Sequence, residues 1–437
     1  MTDASTRTAR PLLPEFVAGL AAQRPAFRQA RSVHRATALG CGWLGGTAGR
    51  RTVTQTLLAL GEGDHDWSGW YRLFSTPRLD ADRLSREVVR QALPHAPAAA
   101  PFVAVVDGLA VPRASRTMPG TSWLRHPETP AFKPGIRRAQ RFVDLAWLPA
   151  PSATGYRRAV PLRLAPAFPP KAVPVAGVDP CPEWAAGLAQ ATWLRSELDA
   201  AERTAQPLLV VGDGGFSNAP TWAGLPARTT LLARCARNRA LFRLPPPYAG
   251  VGRPRVYGDR APRPDAWLAR RDGWQTTTLT VRGRAIPVQV RVAGPYLVKG
   301  APDRPLFRLV AKGSDPRHGR RRRDPAAWLV SAVERDGRWR LPLAPQSLLA
   351  WAWQRWEVEV AHRELKTGFG LGEPQAWGSV SAVLSVQWAA ALYATALLAG
   401  LRAWGLGPSP LAPPGRWWGG AGRWSLDALW RGRRAEL

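Results

Sequence analysis

Two stretches of the sequence decide the fold: residues 102–107 read FVAVVD, and residues 208–213 read LLVVGD. Each is an unbroken apolar run of strand length that closes on an aspartate. Such runs, without polar alternation, are typical of strands covered on both faces, as in a parallel sheet. Further strand-like runs lie at 141–147, 159–164 and 229–234, and a helical pattern covers about 182–204. This order of strands, a helix and another strand predicts an α/β core with a mixed sheet.

The region before this core is predicted to be all helical. From Pro11 to about Ala98, apolar residues recur at helical spacing. Thr52–Leu60 forms a short amphipathic helix, Asp80 caps a longer one, and the glycines of Gly40–Gly49 predict a break. The glycine turn at Gly61–Asp64 separates Thr52–Leu60 from a second short helix, Trp67–Phe74. Two short helices around a glycine turn are typical of helix-turn-helix DNA readers, and an all-helical packing module explains the pattern equally well.

The region after the third core strand changes in texture. From Asn238 to Pro342, short alternating segments between Pro, Gly and Arg predict an antiparallel β insertion. Helical periodicity returns at Pro345 and continues to about Trp404, with a break at Gly368–Gly372. We therefore expect a helical N-terminal DNA-binding domain (1–98), a catalytic core in two parts (99–237 and 344–405), a β-rich insertion (238–343) and a C-terminal tail (406–437).

Charge is the unusual feature of the composition. The 437 residues include 61 Lys and Arg against 31 Asp and Glu, a formal net charge of +30. An excess of this size needs an anionic partner. Nucleic acid is the leading candidate and a membrane surface is the second.

Cysteine usage and the apolar segments bear on the compartment. The three cysteines, Cys41, Cys181 and Cys235, are too far apart for a paired-cysteine zinc site, which fits a reducing cytoplasm. The first thirty residues hold no apolar core of a signal peptide. Ser379–Leu401 runs 23 residues without a formal charge, but it is rich in Ala and carries several Ser and other polar residues. We expect a buried globular helix there, not a membrane span.

The two strand-end aspartates are the first candidates for chemistry. In an open α/β sheet, ligands bind at the carboxyl ends of the strands, where Asp107 and Asp213 are predicted to lie. Each carboxylate is either a turn or helix cap or a metal ligand, and for either one alone the cap is the commoner case.

A helix near residue 360 supplies a third acid. Residues 355–366 read RWEVEVAHRELK, which places Glu359 in a basic stripe with Arg355, His362 and Lys366. An adjacent apolar face would dock on the sheet, with Glu357 and Glu364 on the opposite side; it consists of Val358, Ala361 and Leu365. An exposed face with ordinary i,i+4 pairs, worth about 0.2–0.5 kcal/mol each, would also explain these charges.

Three converging carboxylates would repel one another unless a cation neutralised them. Hard oxygen ligands without His or Cys suit Mg²⁺ or Mn²⁺. Two such ions would activate a water or a sugar hydroxyl and stabilise the leaving oxygen of an in-line displacement at phosphorus. No phosphate-binding Gly-Lys loop and no Gly-x-Ser-x-Gly elbow occurs in the sequence, which argues against a nucleotide-driven motor and a serine hydrolase.

These features resemble the DDE transposases of bacterial insertion sequences, which have a ribonuclease H-like core interrupted by a β insertion. The family signature has a Tyr, an Arg three residues on, a Glu four further and a Lys seven after that; Arg355, Glu359 and Lys366 match, whereas Ala352 stands at the Tyr position. Other similar stretches are residues 67–75, 105–123 and 252–260. The resemblance implies that Asp107, Asp213 and Glu359 are the catalytic, metal-binding triad and that a homodimer holds two element ends.

Several basic and aromatic residues are candidate DNA contacts. Arg355, His362 and Lys366 flank the third acid, and Arg237 follows the third core strand. Arg253 and Arg255, in an Arg-Pro-Arg run, would fit a minor groove or a plain surface loop. Arg320 and Arg321 open a run of four arginines that faces phosphate or water. The insertion also offers Trp267, Trp274, Trp328 and Trp339 as stacking platforms, with core packing as the alternative for each.

The prediction is therefore a cytoplasmic, nucleoid-associated transposase without a membrane partner. It binds the terminal inverted repeats of its element and joins a freed 3′ hydroxyl to target DNA, with two Mg²⁺ or Mn²⁺ ions. A catalytically inactive or domesticated DNA-binding derivative is one alternative, for which the Ala at the Tyr position leaves room. A nuclease on the same core without strand transfer is another.

Overall fold

The structure is a computed structural model that describes residues 10–436, apart from 46–48, 76–77, 127–128, 131, 153–154, 237, 315–321 and 412–421. It divides into two compact units. Unit one comprises Met1–Ala96, Gly108–Pro182 and Val358–Leu437, and unit two comprises Pro97–Asp107 and Glu183–Glu357.

Five α-helices precede the first strand, and four α-helices follow the last one, in the part of the chain that the structure describes. The helices are α1 (Leu12–Ala22), α2 (Ala30–Gly45), α3 (Val53–Ala59), α4 (Ser68–Tyr71), α5 (Ala81–Ala92), α6 (Glu183–Ala200), α7 (Ala219–Gly224), α8 (Pro264–Ala269), α9 (Pro345–Gln354), α10 (Trp356–Arg363), α11 (Ser381–Trp404) and α12 (Leu426–Glu436). The strands are β1 (Phe102–Pro112), β2 (Thr121–Arg125), β3 (Ile136–Trp147), β4 (Val160–Pro166), β5 (Leu208–Gly212), β6 (Thr229–Arg234), β7 (Phe242–Arg243), β8 (Gln275–Val281), β9 (Arg284–Val298), β10 (Ala301–Ser314), β11 (Arg322–Ser331), β12 (Val333–Arg335) and β13 (Arg338–Arg340).

Unit two is built on a mixed sheet. The first half of β1 runs parallel to β5, and β5 runs parallel to β6, with Val106 opposite Gly212 and Gly212 opposite Ala233. All five residues of β5 are buried, as its unbroken apolar run predicts for a strand covered on both faces. The predicted α/β class with a mixed sheet and a ribonuclease H-like core is confirmed.

The β-rich stretch extends this same sheet within unit two. β11 pairs antiparallel with β6, with Leu329 opposite Ala233, and β10 and β9 follow in antiparallel order. β8 and β7 both pair with β9. The predicted antiparallel strands are present, but β9 and β10 are longer than the alternating segments from which they were predicted. The alternation of apolar and polar residues is lost near the ends of these strands, because Pro and Gly interrupt it. The backbone pairing between the strands nevertheless continues past these residues.

Unit one is assembled around α11. Almost every residue of this helix is buried, and α1, α5, β4 and α12 all pack against it. By length and composition α11 could cross a membrane, but 94% of its apolar window is buried within the protein, as the sequence predicted. Aromatic rings close the packing, since Trp388 makes edge contacts with Trp43 and Phe74 at centroid distances of 5.5 Å.

The predicted break at Gly40–Gly49 is wrong for residues 40–45, which continue α2. A Cβ on Gly40 would lie 2.9 Å from a Leu392 methyl group, and one on Gly42 would lie 2.8 Å from the Thr56 methyl group. These glycines therefore permit close approach of helices; they do not interrupt one. Residues 46–48 lie outside the described part of the chain.

The other local predictions for the N-terminal helices hold. Asp80 caps α5 by accepting hydrogen bonds from the amides of Asp82 and Arg83, and Thr52 caps α3 by accepting one from Gln55. Of the two alternatives for this region, packing is what the structure displays, because α1, α2 and α5 all contribute to unit one. Helix-turn-helix DNA binding stays a prediction.

The C-terminal residues form a helix, where the sequence predicted a tail. α12 buries Leu426, Leu429 and Trp430 within unit one. Its Glu436 caps α1, since the Leu12 and Leu13 amides donate to the two carboxylate oxygens at 2.7 and 2.6 Å. A carboxylate at a helix N-terminus satisfies free amides and favours the helix dipole.

Candidate active site

Asp107 lies at the point where β1 loses its parallel partner. Pairing with β5 covers Phe102 to Val106 and stops there, but β1 itself continues to Pro112. The prediction that the strand ends at Asp107 is therefore wrong, because the apolar pattern resumes at Leu109 and Val111, both fully buried. The Asp107 side chain is 15% exposed.

Asp213 follows β5 directly, as the sequence predicted. Its backbone is extended (φ −80°, ψ −172°), and its carboxylate accepts a hydrogen bond of 2.8 Å from the Gly215 amide. The side chain thus caps the short 3₁₀ turn Gly214–Phe216 and is only half-buried. Capping and metal binding are compatible here, because one oxygen accepts the amide and a carboxylate has a second.

The strand register places these two aspartates side by side. Val106 is opposite Gly212, so Asp107 and Asp213 are the next residues on neighbouring parallel strands. Such strands lie about 4.8 Å apart. The two carboxylates therefore belong to one edge of the sheet of unit two.

Arg355 supplies a countercharge to Asp107. It follows the last residue of α9, and its Nη1 donates to Asp107 Oδ2 at 3.2 Å. The two side chains are 23% and 15% exposed, so water screens the pair only in part. The sequence predicted Arg355 as a phosphate contact and missed this ion pair, whose partners are 248 residues apart.

The aspartates suit a divalent ion of the hard class. Mg²⁺ is commonly held by one or two carboxylates, waters and substrate phosphate oxygens, and both aspartates are half-buried, so water still reaches them. Among the residues that the structure describes, no group of three or more His, Cys, Asp or Glu side chains within either unit could hold a metal ion. The pair is thus a partial ligand set.

Glu359 lies in unit one on α10, where it is half-buried. The apolar face predicted beside it is buried, with Val358 and Leu365 fully enclosed and Ala361 3% exposed. The two neighbouring glutamates form ion pairs. Glu357 pairs with Arg282 at 2.9 Å in unit two, and Glu364 pairs with Arg158 in unit one. The role of Glu359 as third ligand stays a prediction.

His362, predicted in a basic stripe with Arg355 and Lys366, does not lie on the exposed face that was the alternative interpretation of these charges. Its ring is buried, and its Nε2 lies 3.0 Å from Oδ2 of Asp144, a fully buried carboxylate on β3. Nothing local in the sequence marks Asp144, which falls inside an apolar strand. A contact between His362 and DNA stays a prediction.

The helix after His362 changes its winding. Residues Glu364–Gly368 form a π-helical turn that carries Lys366, a half-buried side chain. Within this turn Glu364 also accepts a hydrogen bond of 2.5 Å from the Tyr393 hydroxyl. Complete burial raises the pKa of Tyr393 well above its ordinary value, and the Glu364 carboxylate raises it further, so the phenol stays protonated.

The other predicted DNA contacts divide into two groups. Arg253 and Arg255 lie in an exposed loop of unit two. Arg237, Arg320 and Arg321 lie outside the described residues. Contact of any of these five with DNA stays a prediction.

The predicted stacking platforms are largely occupied by cations of unit two. Trp267 has the guanidinium groups of Arg291 and Arg308 at 4.2 and 4.4 Å from its ring centroid. Trp274 has the Lys312 ammonium at 4.0 Å. Trp328 is 5% exposed, as the packing alternative required, and Trp339 is half-buried.

Comparison with known proteins identifies one family. A family model described as DDE superfamily endonuclease matches residues 24–294, which is more than half of the chain. The matched range includes Asp107 and Asp213, whereas Arg355 and Glu359 lie beyond it. No curated protein matches the chain.

Proposed function

Since the chain belongs to the DDE superfamily of endonucleases, whose members act on DNA and generally use divalent metal ions, we propose that it is the transposase of a bacterial insertion sequence. It cuts DNA at the terminal inverted repeats of its element and joins the freed 3′ hydroxyl to target DNA. The observation that carries this proposal is the register that sets Asp107 beside Asp213.

Each site residue has a role in this scheme. Asp107, Asp213 and Glu359 would hold two Mg²⁺ or Mn²⁺ ions, and when bound these ions would activate a water or a 3′ hydroxyl and stabilise the leaving oxygen. Arg355 neutralises part of the negative charge beside Asp107, which lets two carboxylates share one sheet edge before the ions arrive. Lys366 and Arg253 contribute positive charge toward the DNA backbone.

The partners follow from the reaction. Two element ends must be held together for joining, so the active form is a homodimer on duplex DNA. The net charge of +30 supports binding to a polyanion, and the proposed location is the nucleoid in the cytoplasm.

The test is cleavage of a duplex that carries the inverted repeats flanking the reading frame. Asp107→Asn, Asp213→Asn and Glu359→Gln should each reduce cleavage in Mg²⁺ by about 10³-fold or more, which corresponds to roughly 4 kcal/mol of transition-state stabilisation. DNA affinity measured with EDTA should change little, because the amides preserve shape. Glu334→Gln, an exposed carboxylate of unit two, is the matched control and should cut normally.

The results also separate the alternatives. Specific binding without cleavage, even of a pre-nicked end, would identify an inactive derivative; Ala352, buried at the position of the family's Tyr, favours that alternative. Cleavage without joining would identify a plain nuclease. Undiminished cleavage by all three carboxylate variants would dismiss the proposed active site.

A further inference from the structure

The β2–β3 hairpin of unit one presents an exposed aromatic and basic face. Trp123 of β2 lies directly opposite Arg138 of β3, and Arg125 lies directly opposite Ile136. Because side chains two residues apart share a face of a strand, these four side chains form one surface. Trp123 is 47% exposed and Ile136 is 66% exposed. Large apolar groups at this level of exposure, bordered by cations, are typical of binding surfaces.

The opposite face of the hairpin is anchored. Ser122 and Ala139, which pair with each other, are 3% and 0% exposed. The exposure of Trp123 is therefore a property of one face only, on a hairpin whose other face is packed. Beyond β2, the connection to β3 adds Phe132, which is 90% exposed, and the exposed Lys133.

The guanidinium group on this face is held in place before any ligand arrives. Arg138 Nε donates to Thr121 Oγ1 at 3.0 Å, and its Nη2 donates to the Arg116 carbonyl oxygen. The same group lies 5.8 Å from the centroid of the Trp123 ring. A fixed guanidinium beside an indole offers a cation and a stacking surface in one place, at a reduced cost in side-chain entropy.

Charge determines the kind of partner. Residues 116–138 contain five basic side chains, Arg116, Arg125, Lys133, Arg137 and Arg138, against one acid, Glu128. This excess of positive charge favours a polyanionic ligand. The exposed indole ring favours a polyanion that carries a planar group able to stack on it. Nucleic acid has both properties. In a duplex, neighbouring bases cover both ring faces of each base, so an exposed indole fits a base that is unpaired or terminal.

We propose that this hairpin face binds an unpaired nucleotide of the DNA substrate. The base stacks on Trp123, and Arg125 and Arg138 contact the adjoining phosphates. The inference rests on the proposed function for the presence of such a nucleotide near a cut end. It is independent of which carboxylates perform the cutting.

The experiment compares two DNA substrates of equal length, one blunt and one with a three-nucleotide single-stranded overhang. Affinity is measured with the full chain in EDTA, so that cleavage does not interfere. Trp123→Ala should weaken binding to the overhang substrate by about 5- to 150-fold, the range expected for one base–aromatic stack. Binding to the blunt substrate should change by less than about twofold. Trp123→Phe should restore most of the loss.

Two further variants sharpen the result. Trp377→Ala removes another exposed tryptophan of unit one, 59% exposed, and should leave both affinities unchanged. Arg125→Gln should lower the salt dependence of overhang binding by about 0.7 in the slope of log affinity against log salt, the value for one phosphate contact to a single strand.

The outcomes separate this inference from the proposed function. Equal losses on both substrates, or no loss with Trp123→Ala, would overturn the hairpin proposal while the transposase proposal stands. Dissociation of a dimer by Trp123→Ala at unchanged DNA affinity would make the face a subunit contact and also overturn it. If the unaltered chain binds neither substrate, both proposals fail together.

Discussion

Tryptophan and arginine side chains are in contact in both units, but the solvent exposure of the contacts compared below differs. In unit one the Trp123–Arg138 pair lies on an exposed hairpin face. In unit two Trp267 is enclosed between Arg291 and Arg308, and Arg308 is completely buried. Arg308 donates to the Pro262 carbonyl oxygen at 2.6 Å and also approaches the Tyr296 ring at 5.3 Å.

The difference shows that tryptophan and arginine in the same region do not identify a DNA surface. In unit two the cations stack on the indole and are removed from water, so they stabilise the fold and have little left to offer a phosphate. On the hairpin face of unit one the same two residue types remain accessible, whereas Arg158 and Trp424 of that unit are stacked and buried. Whether such a pair stabilises the fold or can bind DNA depends on the solvent exposure of its side chains, which cannot be derived from the sequence.

The largest effect should come from Trp328, the most deeply buried of the tryptophans predicted as stacking platforms. Trp328→Ala should lower the free energy of unfolding by about 3–5 kcal/mol, because it empties a core position opposite Arg234. Urea denaturation of the full chain, followed by circular dichroism, measures the loss. Trp328→Phe, which fills part of the space, should lose less. A loss below about 1 kcal/mol would contradict the packing role.

Trp267→Ala should have an intermediate effect of about 2–3 kcal/mol, because two cation–aromatic contacts in a largely desolvated site disappear. The same denaturation assay applies. In a double-mutant cycle with Arg308→Met, the two losses should be non-additive by at least about 0.5 kcal/mol. Strict additivity would show that the stack contributes nothing beyond burial.

Trp123→Ala should have the smallest effect on stability, less than about 1 kcal/mol, since the ring is half exposed and its one arginine contact is screened by water. If this variant destabilised the protein as much as Trp267→Ala, the distinction drawn between the exposed and the buried tryptophan–arginine contacts would be wrong. In that case the indole of the hairpin would be a packing group like its counterpart in unit two.

Local patterns predicted the elements of the core well. The apolar runs located β5 and β6, and Asp80 marked the start of α5, because strand burial and helix capping depend on adjacent residues. The glycines of α2 were misinterpreted, since a glycine that ends a helix and one that lets two helices touch look alike in sequence.

Long-range pairs were beyond sequence reasoning. Arg355 meets Asp107 across 248 residues, and His362 meets Asp144 across 218. No periodicity links such partners, so helical spacing grouped Arg355 and His362 in one basic stripe and did not reveal the partner of either residue. In the structure Arg355 pairs with a candidate metal ligand, whereas His362 is buried against a strand.

The hydrogen bonds from the first turn of α1 to the Glu436 carboxylate affect the order in which the chain can fold during synthesis. A polypeptide leaves the ribosome from its N-terminus, so α1 emerges hundreds of residues before the group that caps it. Unit two draws most of its chain from one continuous stretch, Glu183–Glu357, and can condense while translation is still under way. Unit one, by contrast, contains both α1 and the helix that caps it, so its packing cannot be completed until α12 has been synthesised.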